Sequence, residues 1–215
     1  MIKQKKEKPI KNFKFIHKIG CELEGGWETM PLRTVAGDSS VMADGEIRGE
    51  IRTEPKRSLK EFIKEIDENY PTDVDESCGF HIHISIEDKY LPTLMGKEFF
   101  NKFYIKMGHI SKEIRNSGNK DDYKHFLNRY SGKNSYCSKN FMPIEQISGK
   151  TSERRTMINF CSYRTHKTIE NRMLPMFTSR NNARIAASEY AMFVENYIKE
   201  NYTEEKKLKK LVVEV

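Results

Sequence analysis

Ile16-His17-Lys18-Ile19-Gly20-Cys21-Glu22-Leu23-Glu24-Gly25-Gly26 alternates with a period of two. With the residues just before it, Phe13, Phe15, His17, Ile19, Cys21 and Leu23 fall on one face, and Lys18, Gly20, Glu22 and Glu24 on the other. Successive strand side chains point to opposite sides, so this pattern predicts a half-buried β-strand. Glu22 and Glu24 then stand side by side, ~7 Å apart from two rises of ~3.3 Å. Like charges that close repel unless a cation lies between them. The strand is therefore a candidate wall of a metal or ammonium site, weighed against an ordinary solvated polar face.

The same alternation recurs downstream. In Gly45 to Pro55, Glu46, Arg48, Glu50 and Arg52 share a face opposite Ile47 and Ile51. In Cys78 to Ile86, Cys78, Phe80, Ile82, Ile84 and Ile86 form an apolar face, and His81 and His83 point the other way together. Arg155 to Cys161 and Lys167 to Leu174 read as two more strands, the second with Glu170 and Arg172 on one face. Helices are expected from Ser58, whose hydroxyl suits an N-cap, and over 93–116, 121–130 and 181–201, where apolar residues recur at helical spacing. Gly25 to Ser40 and the polar stretch 131–152 read as loops, the former containing the turn Gly37-Asp38-Ser39-Ser40.

Length and charge bound the function. A chain of 215 residues suits one domain with its own core. The net charge is +7, but the first 20 residues, with seven lysines and one glutamate, carry +6 of it. A nearly neutral body lacks the basic footprint of a nucleic-acid binder. Residues 1–11 read as a basic tail, 12–202 as one folded domain and 203–215 as a charged tail. No apolar run approaches the ~20 residues of a membrane span, and Lys3, Lys5, Lys6, Lys8 and Lys11 interrupt any leader-like segment, so a cytoplasmic location is expected. The four cysteines are widely spaced, which fits free buried thiols rather than a disulfide or four-cysteine zinc framework.

Each strand thus has one apolar face and one face of acids, histidines or arginines. An α+β fold follows: one curved antiparallel sheet, with helices on its apolar side and a concave polar floor. Carboxylates with one or two imidazoles suit Mg²⁺ or Mn²⁺, and arginines beside such ions suit phosphate. A metal, a phosphate clamp and an acidic floor together point to phosphoryl chemistry on a nucleotide.

Gly20-Cys21-Glu22-Leu23-Glu24, Asp38-Ser39, Glu50 to Pro55, Cys78-Gly79-Phe80-His81-Ile82-His83 and Thr168-Ile169-Glu170-Asn171-Arg172 occur in this order. In that order they resemble the amidoligase family of the carboxylate-amine ligase superfamily, to which glutamine synthetase and γ-glutamylcysteine synthetase belong. The resemblance runs from about residue 16 to 200. It implies the glutamine-synthetase type of catalytic sheet and ATP-dependent amide formation through an acyl phosphate, from small-molecule or peptide carboxylates and amines. It implies that Glu22 and Glu24 bind separate Mg²⁺ (or Mn²⁺) ions, that Glu46 or Glu50 completes one shell, and that His81 and Glu170 belong to the other. Arg172 would hold the transferring phosphoryl group, with Glu50 and His83 also at the reacting centre. Asn159 would lie near substrate, and Arg129, Arg154, Arg155 and Arg164 are candidates for phosphate or carboxylate contacts.

Two other classes compete. A zinc hydrolase using Cys78, His81 and His83 meets the difficulty that alternation puts Cys78 on the opposite face from the histidines. A binding module using the lysine tail leaves the converging acids without a role.

Overall fold

Strand β1 (Lys14–Trp27) is the hub of the sheet. The computed structural model describes residues 13–140, 142, 146–148 and 151–202, without the side chains of Thr151 and Ser152. Both expected tails, 1–11 and 203–215, lie outside the described residues. After β1 come β2 (Ile47–Arg52), β3 (Lys56–Ser58), α1 (Leu59–Glu68) and β4 (Phe80–Ser85). A 3₁₀ turn leads to α2 (Leu91–Leu94), α3 (Lys97–Asn116) and α4 (Lys120–Tyr130). The described residues close with β5 (Ile158–Asn159), α5 (Cys161–His166), β6 (Thr168–Asn171) and α6 (Arg180–Asn201).

The fold is α+β, with one open antiparallel sheet in the order β2-β1-β4-β6-β5, and β3 pairing with another part of β1. The odd residues of β1 from Phe15 to Leu23 are buried, as alternation requires. They join Ile51, Phe80, Ile82 and Ile84 in a single core with Phe62, Ile63 and Ile66 of α1, Phe103 of α3 and Val194 of α6. Helix α1 packs on β1 and α6, and α6 on α3. Burial of this apolar face supplies most of the driving force, at roughly 25 cal/mol per Å². Among the described residues no helix is long and apolar enough to cross a membrane.

Several boundaries differ from those expected. Strand β1 runs on through Gly25 and Gly26 to Trp27, where a loop is expected, because β2 pairs with it there, Gly25 opposite Gly49 and Trp27 opposite Ile47. The helix predicted over 93–116 is divided at Gly96, whose extended backbone (φ −79°, ψ 150°) caps α3 and separates it from α2. The strand predicted over 155–161 contracts to Ile158–Asn159, because the Asn159 side chain accepts the Cys161 N–H at 2.8 Å. That local bond turns the backbone out of the ladder and leads into α5, which was not foreseen: it is only six residues long and has no apolar stripe to betray it. The strand predicted over 167–174 ends at Asn171 in the same way, its side chain accepting the Met173 N–H at 2.9 Å. Arg172 therefore sits one residue beyond β6.

Candidate metal centre and anion cleft

Register decides which polar residues meet. Glu22 lies opposite Arg52 on β2 and His81 on β4, and Glu24 lies opposite Glu50. His83 lies opposite Glu170, which in turn lies opposite Asn159. Because strand side chains alternate, these matched positions project onto one face.

Among the described residues, two sets of ligand-type groups result. Glu22, His83 and Glu170 offer atoms all within 4.8 Å of one another, and Glu24, Asp38 and Glu50 form a second such set. His81 stands between them. Its Nδ1 lies 3.2 Å from Glu22 Oε2 and 3.5 Å from both Glu24 Oε1 and Glu170 Oε1. The buried His83 Nε2 lies 3.5 Å from Glu22 Oε1 and 4.0 Å from Glu170 Oε1 and makes no hydrogen bond. Gly79 serves the second set: its N–H donates to Glu24 Oε2. A Cβ at that position would meet His81 Nε2 at 2.4 Å and Glu24 Oε2 at 2.9 Å. The glycine two residues before His81 is thus a steric requirement of the site.

Neighbouring groups fix the carboxylates. Arg172 Nη1 donates to Glu170 Oε1 at 2.5 Å, and Asn159 Nδ2 donates to Glu170 Oε2 at 2.5 Å. Arg52 Nη2 donates to Glu50 Oε1 at 2.6 Å, and its Nε lies 3.5 Å from Glu22 Oε1. Asp38 Oδ1 accepts from both the backbone N–H and the hydroxyl of Ser40, at 2.8 and 2.7 Å.

The electrostatics differ between the sets. Burial pushes the Glu22 carboxyl up, but the hydrogen bond to His81, the approach of His83 and the charge of both imidazoles outweigh it and hold the group well below the usual carboxylate range. Burial lowers His83, and the opposing approach and charge of Glu22, with the charge of Glu170, raise it above its ordinary value. Glu50 is raised, by burial first and then by the charge of Glu22. For Arg172, burial works against the charge, while Glu170 and Glu24 more than compensate.

A cleft of about 610 Å³ opens beside the first set. Glu22, His83, Asn159 and Glu170 line it, together with Lys18, Arg52, Arg154, Arg164 and His166. Acids thus face a ring of cations, an arrangement that can hold an anion next to a divalent ion. The donor sets fit such an ion on chemical grounds: hard oxygens with one imidazole in the first and three carboxylates in the second. The unpartnered His83 nitrogen, aimed at two carboxylates, points the same way.

Not every expected residue reaches this place. Glu46 is exposed, one residue ahead of β2 and in neither set, whereas Glu50 is in the second. Arg155 is exposed and carries its guanidinium over the Tyr136 ring, 5.5 Å from its centre, outside the cleft lining. Arg129 is buried at 2 % exposure and bonds to backbone carbonyls instead of facing the cleft. Cys78 is fully buried with its thiol pushed up to about 12 by burial, and it belongs to neither set. Asp38 was not foreseen as a member of a donor set. Its signal was the Asp-Ser-Ser turn, in which the side chain bonds two residues ahead.

No protein-family model matches the chain, and neither a curated protein nor a solved structure matches it.

Proposed function

We propose that the protein is an ATP- and Mg²⁺- (or Mn²⁺-) dependent carboxylate-amine ligase, built on a catalytic sheet of the glutamine-synthetase type. One observation carries this reading: two adjacent donor sets with His81 between them, the first of which opens on a cleft lined by lysine and arginine side chains. In the proposed reaction the substrate carboxylate oxygen attacks the γ-phosphorus of ATP and ADP leaves. An amine then attacks the acyl carbon, phosphate departs, and the amine gives up its proton to solvent.

Glu22, His83 and Glu170 would hold one divalent ion, and Glu24, Asp38 and Glu50 the other. Bound there, the ions would neutralise charge on the phosphates, which otherwise repel an incoming carboxylate. Arg172 would turn part of its fork from Glu170 to the transferring phosphoryl group, a geometry its planar donors suit. Arg154 and Arg164 would bind phosphate oxygens along the cleft wall. Asn159 keeps Glu170 oriented through its Oε2. Binding both substrates side by side supplies a proximity gain of up to ~7–11 kcal/mol in good cases.

The test is thermal unfolding with ATP, with Mg²⁺, and with both. Joint addition at about 100 times Kd should stabilise by ~2.7 kcal/mol, about 5–10 °C for a domain of this size. Glu22→Gln should remove the shift. No shift with ATP and Mg²⁺, together with stoichiometric zinc in the purified protein, would favour the hydrolase class instead.

A further inference from the structure

Among the described residues Arg129 is the largest buried side chain. It lies on α4, and its hydrogen bonds go to backbone carbonyls and not to a carboxylate. A buried guanidinium without an acid partner is expensive unless its hydrogen bonds and the surrounding field offset the loss of water. Arg129 spends its two terminal nitrogens on backbone: Nη1 donates to the Arg172 carbonyl and Nη2 to the Ser77 carbonyl, both at 3.3 Å. Its Nε is buried and unpartnered. Burial lowers its pKa, and the charge of Glu24 opposes that lowering.

The two carbonyls belong to the two halves of the site. Arg172 carries the guanidinium that grips Glu170 Oε1, a member of the first donor set. Ser77 accepts the Met42 N–H on its hydroxyl at 2.8 Å, which anchors the loop that carries Asp38. Two residues after Ser77, the Gly79 N–H grips Glu24 Oε2. Asp38 and Glu24 are both members of the second set. One buried side chain therefore holds the backbone supports of both sets.

We infer that Arg129 is a positioning residue that fixes the two candidate cation sites relative to one another, through Arg172 on one side and Ser77 on the other. This rests on the reading of the two donor sets as cation sites. Groups that orient metal ligands typically change metal affinity 10–100-fold when altered, and here both sites should move together.

The experiment is titration of the metal-free protein with Mn²⁺, following free Mn²⁺ by electron paramagnetic resonance, for the wild type, R129K and R129M. The wild type should bind two ions. R129K keeps the buried charge but cannot reach both carbonyls as a rigid fork, so it should stay folded and bind both ions about 10–100-fold more weakly. Wild-type Mn²⁺ affinity in R129K, or weakening of one site alone, would overturn the inference. A wild type that binds no Mn²⁺ would instead remove the cation reading beneath it. Should neither variant fold, the Arg129 Nε–H resonance of the intact protein decides: Mg²⁺ should shift it, and an unmoved resonance overturns the inference.

Discussion

The two donor sets are 2 residues apart on β1, yet they are built by different means. Glu22, His83 and Glu170 come from three neighbouring strands and meet because the ladder places them. Glu24 and Glu50 come from paired strands, but Asp38 comes from a loop that must be held down separately by Ser77 and its own Asx turn. Electrostatics separate them further. The imidazoles make the first set a place where a carboxylate is comfortable as an anion, whereas Glu50 in the second is charged against its surroundings. The ladder thus pairs the acids of the first set with imidazoles, while Glu50 in the second is raised by burial and by the charge of Glu22 against the opposing pull of Arg52.

The sharpest way to break this comparison is to remove one acid from each set. Glu22→Gln should lose both the ATP–Mg²⁺ thermal shift and one of two bound Mn²⁺ ions. Asp38→Asn should keep the first ion and weaken the second about 10–100-fold, read in the same Mn²⁺ titration. If Asp38→Asn removes both ions, the sets are not separate sites.

A smaller effect distinguishes them without metal. The folded pKa of Glu22 is depressed, so its contribution to stability is present above the unfolded value of about 4.3 and is lost as pH falls through the folded value. The folded pKa of Glu50 is raised, so its contribution has the opposite sign: it is present below about 4.3 and lost as pH rises through the folded value. In excess chelator at pH 7, Glu22→Gln should therefore lower Tm and flatten the acid limb of stability. Glu50→Gln should raise Tm. A lower Tm for Glu50→Gln would show that the second set is not repulsive when empty. The smallest effect belongs to Glu46, exposed and outside both sets. Glu46→Gln should change neither Mn²⁺ binding nor stability beyond ±0.5 kcal/mol, and a lost ion would return it to the ligand shell in place of Glu50.

What could be read in the sequence follows the same division. Period two exposed β1, β2 and β4, their core faces and the convergence of Glu22, His81, His83 and Glu170, since alternation is a property of the strand itself. The choice between Glu46 and Glu50 needed the β1–β2 register, which only the pairing of Glu24 with Glu50 supplies. Arg129 looked like a phosphate ligand because arginine on a polar helix normally is solvated; its burial depends on how α4 packs beneath the site. The ends of β5 and β6 were set by Asn159 and Asn171 side chains bonding their own backbone, a local competition that hydropathy does not record. Asp38 joined the second donor set through the path of its loop, which no spacing rule predicts.

Strand β1 is paired along its length with β2, β3 and β4, and its inward face is the centre of the core. Its amide protons from Cys21 to Glu24 should thus exchange with solvent only when the whole domain opens. Two acids of the site, Glu22 and Glu24, ride on the segment that is last to let go, so their exchange protection and global unfolding should share one rate.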